Sequence, residues 1–395
     1  MSPAPQLAPP ASGRAEGLAV QIIRHTYPFQ EADRASLPMV GPAEWDGMVQ
    51  AARQHGLAPL LHASLRRCAG ELPAPAGVMA ALWETYLRDS TTGLIAYQDL
   101  NHWADRFERE GIPFVLLKGS ALAHLIYPEP SLRPFGDLDL LVHPQDAARL
   151  RPLFIQEGYA PAFEFVPGFT SRFFAQETFW RRGANAVMID LHVHLFVNAF
   201  YRRRMPAAWL WAQTTPVQLD GRTALTLTPT AQLFHLAAHY ALHHSEERLL
   251  WLYDLALLMS GAGRPIDWES VVGQARAFGL VQAIQLTLER VAAVWGVTPP
   301  AEPWRQIRAL TPGSGERRAF ALATTASPFR RNLWDFVNLP ASEAGVFVWY
   351  HLFPGETYMR TRYALPDTVP LGRAYAERLV RIARRAAGGL LRARS

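Results

Sequence analysis

Lysine and cysteine are almost absent from this sequence. Cys68 is the only cysteine in 395 residues. That excludes a disulfide framework or a cysteine-built zinc site and suits a reducing compartment. Charge is also sparse, at 18% against 49% hydrophobic residues, which excludes wholesale disorder and leaves ample material for a buried core. No uncharged apolar run reaches the ~18–20 residues needed to cross a bilayer. The opening MSPAPQLAPPASGRAEG lacks the charged-then-apolar layout of a signal peptide, so residues 1–17 read as a disordered lead-in. We expect a cytoplasmic protein.

Net positive charge is missing from the body of the chain as well. Seven arginines against Glu377 give residues 371–395 a net charge of +6, which leaves the remainder at −1. A near-neutral body gives no electrostatic reason to expect a specific nucleic-acid partner. The tail AERLVRIARRAAGGLLRARS is basic and amphipathic, suited to an acidic partner or a membrane surface, or simply to solvent.

Of the 39 lysines and arginines, Lys118 is the only lysine. Lysine differs from arginine as a compact ammonium on a flexible stem, often used as a point charge on phosphate. A composition this rich in alanine, proline and arginine replaces lysine wherever arginine serves, so the surviving one marks its neighbourhood.

Along the chain, residues 18–67 and 75–110 read as helices, with Trp83, Leu87, Leu94, Tyr97 and Leu100 at helical spacing. The pattern changes at Gly111. The run IPFVLL suits a buried strand, SALAHLIYP a short helix ended by Pro128, and DLDLLV a second strand. Pro144 opens a helix to about Glu157. AVMIDLHVHL, residues 186–195, alternates as a third strand. Its Met188, Asp190, His192 and His194 share one face. In VQLDGRTALTL the Asp220-Gly221 pair predicts a hairpin turn. From Thr230 the pattern is helical, with breaks near residues 261–265, 298–303 and 339–341. The reading is α+β: helices, then a small mixed sheet, then helices.

Within DLDLLV, period two places Asp137 and Asp139 on one face. Two carboxylates held that close repel, and a bound cation relieves the repulsion. Magnesium takes a few carboxylates together with substrate phosphates. Asp190, on the polar face of another strand, is the candidate third carboxylate of a two-metal clamp for in-line phosphoryl transfer. Gly119 and Ser120 follow a strand and open a helix, so backbone N–H groups and the helix dipole can face an anion. Lys118 adjoins them. Arg133, in the loop before the acidic pair, can reach a triphosphate with its fork or lie at the surface.

The stretch VLLKGSALAHLIYPEPSLRPFGDLDLLV resembles the core of the uncharacterised nucleotidyltransferase family within the polymerase-β superfamily. Leu-Lys-Gly, Tyr-Pro, an arginine and Asp-Leu-Asp-Leu-Leu-Val carry the likeness. IDLHVHLF, WDGMVQAARQHGLAPLLHASL and LFHLAAHYALHHSEERLLWLYDLALLM extend it over roughly residues 45–260. The spacing from Ser120 to Asp137 is longer than in the shorter bacterial members. The resemblance implies metal ligation and catalysis by Asp137, Asp139 and Asp190, and phosphate binding by Gly119 and Ser120; Lys118 belongs to the family's variant of the motif, and the residues themselves add Lys118 and Arg133 as phosphate-binding candidates. It also implies Mg²⁺, or Mn²⁺ in its place, as cofactor. The nucleotidyltransferase core is then expected over 111–228. It would be flanked by an N-terminal helical region 18–110, a C-terminal helical domain 229–370 and a basic tail 371–395.

The implied reaction moves a nucleoside monophosphate from a nucleoside triphosphate to a hydroxyl or phosphate of a small-molecule or peptide acceptor. Two alternatives stay open: a nucleotide-binding regulatory module without turnover, and a transferase using another activated donor such as a nucleotide sugar. On the acceptor side we place His192, His194 and His239. His235, His239 and His243 fall at i, i+4 and i+8 beside His244, and they serve packing, the pocket or a metal. Asp254 lies in an apolar stripe and is expected to pair with Arg248. No tryptophan is given a functional role.

Overall fold

The computed structural model describes residues 13–27, 29, 36–162, 165–181, 183, 187–219, 221–243, 248–261, 264–324, 336, 339, 341–366 and 368–391. The chain opens with helices α1 (Arg14–Thr26), α2 (Trp45–Gln54), α3 (Ala58–Arg67) and α4 (Ala76–Arg109). A mixed segment follows: β1 (Phe114–Leu116), α5 (Lys118–Leu125), β2 (Asp137–Val142), α6 (Pro144–Gln156), β3 (Tyr159–Pro161), α7 (Phe169–Phe174), β4 (Gln176–Arg181) and β5 (Met188–His192). It ends with α8 (Ala199–Arg202), α9 (Ala207–Ala212), β6 (Thr214–Leu219) and β7 (Arg222–Leu227). Then come α10 (Pro229–His243), α11 (Leu249–Met259), α12 (Trp268–Phe278), α13 (Val281–Trp295), α14 (Ala301–Ala309) and α15 (Ser314–Ala323). Three further helices span Ala341–Leu352, Glu356–Tyr363 and Leu371–Leu391. The lead-in expected to reach residue 17 therefore overlaps α1, which begins at Arg14.

The strands form one mixed sheet in the order β3-β4-β5-β2-β1-β7-β6. β2 pairs antiparallel with β1 and parallel with β5, while β1 pairs parallel with β7. The α+β architecture read from the sequence is the one observed. The expected hairpin joins β6 to β7, with Leu219 opposite Arg222 and Gly221 at φ +82°; Asp220 lies outside the described residues. The sequence reading overlooked β3 and β4. It also ran the third strand too far: β5 stops at His192, short of the expected residue 195.

The sheet separates two cores. On one face Leu138, Leu140, Val142, Ile189 and Leu191 pack against Leu100, Trp103 and Phe107 of α4 and Phe154 of α6. Trp103 and Phe154 are 4.3 Å apart between ring centroids, and Phe154 stacks on Phe179 of β4 at 4.8 Å. Each such side chain contributes roughly 1.5–3 kcal/mol on full burial. The second core joins residues of α1–α3 to α10–α14, and Leu141 of β2 reaches into it. N-terminal and C-terminal helices thus share one apolar interior on the face that carries the acidic pair. The 34-residue α4 runs past both cores, with Val78 and Leu82 in one and Ala96 to Phe107 in the other. Part of its apolar stripe faces outward, since Trp83, Leu87 and Leu94 are exposed. Among the described residues, no helix is long and apolar enough to cross a membrane.

Candidate active site

The strand alternation that buries Leu138 and Leu140 on one face turns Asp137 and Asp139 to the other. The parallel register sets Asp139 directly beside Asp190 on β5, with Leu141 beside His192. Asp139, Asp190 and His192 are all buried, and each offers a ligand atom within 4.8 Å of the others. His192 Nε2 is 2.9 Å from Asp139 Oδ1. Thr178 of β4 donates its hydroxyl to Asp190 Oδ1 at 2.5 Å. Neither Thr178 nor β4 carried a sequence signal; strand pairing alone brings them here.

Lys118 enters through its backbone. Leu117 N–H donates to the Asp139 carbonyl at 2.9 Å, tying the end of β1 to β2. The next residue, Lys118, adopts φ +49° and opens α5. A left-handed non-glycine residue costs roughly 1–2 kcal/mol, and such strain persists where the surroundings enforce it. Here it points the ammonium at Asp139, with Nζ 2.5 Å from Oδ1.

The electrostatics follow from this packing. Burial raises the Asp137 carboxyl, neighbouring Asp139 adds to the rise, and the pKa reaches about 6 despite Lys118. Burial also opposes ionisation of Asp139, but Lys118 and His192 outweigh it and hold that carboxyl far below its usual range. Burial works against the Lys118 ammonium, and the charges of Asp139, Asp190 and Asp137 more than offset it, raising its pKa. The acidic group thus carries its own counter-cation, with Asp137 as its protonatable member.

Gly119 is required sterically. A Cβ there would stand 2.8 Å from Phe135 Cβ and 2.9 Å from Arg133 Nη1. The loop 130–136 therefore closes directly over the start of α5. Ser120 does not face the site through its hydroxyl, because it is fully buried and bonds to the Leu117 carbonyl at 3.2 Å. Arg133 lines the cavity, yet its fork is engaged elsewhere. Nε donates to Asp254 Oδ1 at 2.9 Å and Nη2 to Oδ2 at 2.8 Å, with Tyr127 OH on the same carboxylate at 2.7 Å. The expected partner of Asp254, Arg248, is not the observed one. Asp254 lies on the buried face of α11, while Arg248 precedes that helix at the surface.

The histidines separate. His192 belongs to the acidic group. His239 and His235 line the cavity from α10. His194 does not join them, because the chain has left the strand. Its Nε2 donates to the Met205 carbonyl at 3.0 Å and its Nδ1 accepts from Phe196 N–H at 3.2 Å. Burial holds it neutral, with its pKa lowered to about 4. The side chain of His243 and all of His244 lie outside the description.

All of this borders one cavity of about 670 Å³, a size suited to a nucleotide-scale ligand. Besides the acids, its walls include Arg53 of α2, Asp89 and Thr92 of α4, Gln176 of β4, and Arg248 and Trp251 at the start of α11. The sequence reading gave none of the six a place at the site. They come from four separate elements and form no local motif.

The mixed sheet presents paired carboxylates beside a lysine that opens a helix, and the family match places the chain among the nucleotidyltransferases. Within that class the chain has a specific place. Residues 41–296 match the family described as uncharacterised nucleotidyltransferase, and the chain belongs to that family. No curated protein matches it. Among solved structures it is similar to an antigenic nucleotidyltransferase-like protein from Paracoccidioides brasiliensis, at 15% identity and a TM-score of 0.33. That likeness covers 57% of this chain and 94% of the other.

Proposed function

We propose that this enzyme transfers a nucleoside monophosphate from a nucleoside triphosphate to a hydroxyl or phosphate group of a small-molecule or peptide acceptor, releasing pyrophosphate. The observation that carries the reading is the Asp139–Asp190 register, with Asp137 one turn of the pleat away and the Lys118 ammonium against Asp139.

The donor set fits a divalent cation. Asp139, Asp190 and His192 converge closely enough to share one ion, and Asp137 lines the same cavity as a further oxygen donor. Carboxylates suit Mg²⁺ and Mn²⁺, and the imidazole among them suits a transition-metal ion better than Mg²⁺. When bound, the cation supplies charge neutralisation at the phosphates and alignment for in-line displacement.

The chain's own groups do the rest. Lys118 gives its ammonium to the non-bridging oxygens of the triphosphate, and the backbone at Gly119, which lines the cavity, receives them with Ser120 packed behind it. Thr178 holds Asp190 in the rotamer that faces the acceptor oxygen, whose proton Asp190 helps to remove. Arg133 acts on the phosphates through position, by clamping the loop that carries Phe135 over Gly119. His239 borders the acceptor side. The basic helix Leu371–Leu391 is offered to an acidic partner or membrane surface.

Calorimetry with ATP, GTP, CTP and UTP, with and without Mg²⁺, tests the reading. Magnesium-dependent binding is expected for the wild type and is expected to be lost in Asp137→Ala/Asp139→Ala. A double variant that binds as tightly as the wild type would overturn it.

A further inference from the structure

Trp251 stands out in α11. Its neighbours Leu249, Leu250, Leu252 and Tyr253 are at most 3% exposed, whereas Trp251 is only half-buried and borders the cavity. A large ring left partly in water at the buried N-terminal end of the helix forgoes the burial its immediate neighbours gain.

The ring is also held. His239 of α10 meets it edge-on, with centroids 5.3 Å apart and planes at 72°. The guanidinium carbon of Arg248 lies over the ring, 5.8 Å from its centroid. That distance exceeds the 3.5–4 Å or so of stacking contact, so the arginine approaches the indole without covering it closely.

The helix is fixed relative to the acidic strands. Asp254, one helical turn beyond Trp251, receives the buried fork of Arg133, and Arg133 lies four residues before Asp137. The bridge therefore ties the helix that carries the indole to the loop that leads into the acidic strand, and the acids and the indole line the same cavity. A nucleoside triphosphate carries both kinds of group that such walls can receive, anionic phosphates and a flat base.

From this geometry we infer that Trp251 is the base platform of the site, stacking the nucleobase of the donor, with purines held more tightly than pyrimidines. The inference rests on the nucleotide reading above. Aromatic stacking tolerates every base and strengthens with ring area, so the platform sets a graded preference without edge recognition. Arg248, exposed beside the ring, is placed to lie against the base from the solvent side.

The test compares ATP with inorganic triphosphate, each with Mg²⁺, on intact wild type, Trp251→Ala and Trp251→Phe. Trp251→Ala is expected to weaken ATP binding by about ten- to a hundredfold and leave inorganic triphosphate within about twofold. Trp251→Phe is expected to retain most of the ATP affinity, showing that the fold survives change at this position. The few-fold preference for ATP over CTP is expected to disappear in the alanine variant. Unchanged ATP affinity in Trp251→Ala, or an equal loss of ATP and inorganic triphosphate, overturns the platform while the metal site stands. A wild type that binds neither ligand overturns the nucleotide reading itself.

Discussion

Arg133 and Asp254 lie 121 residues apart and meet in a buried bidentate pair, Nε to Oδ1 at 2.9 Å and Nη2 to Oδ2 at 2.8 Å. Both side chains are almost wholly withdrawn from water, and Tyr127 completes the carboxylate's bonding. Removing one partner leaves the other as an uncompensated buried charge. Arg133→Met and Asp254→Leu are each expected to lower the unfolding free energy by about 3–5 kcal/mol in urea. The double variant should lose less than the sum, because no lone charge remains. Single variants within about 0.5 kcal/mol of wild type would show that the pair does not hold the acid loop to α11.

Asp137 predicts a conflict between stability and function. Its carboxyl titrates at about 6 in the folded protein against 3.8 ordinarily, so between those values the folded state binds the proton more tightly than the unfolded chain. The associated stability is fully present below pH 3.8 and is lost as pH rises through 6. At pH 7, without metal, Asp137→Asn should therefore melt higher than wild type, by roughly 1–3 kcal/mol. The gap should close near pH 4. It should also close when Mn²⁺ or Mg²⁺ stabilises the wild type alone. Thermal melts across that pH range, in chelator and in metal, decide it.

At Gly119 an added methyl would meet Phe135 Cβ at 2.8 Å, an atom fixed to the backbone. Gly119→Ala should displace the 130–136 loop, destabilise the protein by about 1–3 kcal/mol and weaken Mg-triphosphate binding. Gly77→Ala is the control, since nothing lies within 4 Å of its added Cβ. It should be neutral or slightly stabilising in its helix. Similar losses from both changes would contradict the close-approach argument.

Lys118 and a metal ion compete for Asp139. Lys118→Met removes the resident cation, so Mn²⁺ alone should bind on the order of tenfold more tightly, whereas Mg-triphosphate should bind more weakly. Calorimetry reads both changes. If the variant loses Mn²⁺ affinity, Lys118 assembles the acidic group for metal and does not stand in for it.

The sequence exposed the parts of this site that are local. Asp137 and Asp139 follow from period two on one short strand, Lys118 from its solitude, and Asp190 from alternation on β5. What escaped was set by pairing and packing across the chain. Thr178 reaches Asp190 only because β4 pairs with β5. The strand pattern ran on to His194 because its alternation continues, although the chain turns away after His192 to bury that ring against Met205. Arg133 was legible as a loop arginine beside the acids. Its partner Asp254 was not, because helix spacing said nothing about which loop would meet α11. Trp251 looked like one more apolar residue in LLWLYDLAL, and only its partial burial beside the cavity distinguishes it.

The most direct test of the account follows the label. The protein is incubated with Mg²⁺, a soluble pool of metabolites and peptides, and nucleoside triphosphate labelled at either the α- or the γ-phosphorus. The account predicts that α-label passes to acceptor, that γ-label leaves as pyrophosphate, and that Asp139→Asn does neither. Transfer of the γ-label to acceptor would make the protein a kinase and contradict the account, and so would undiminished α-transfer by Asp139→Asn.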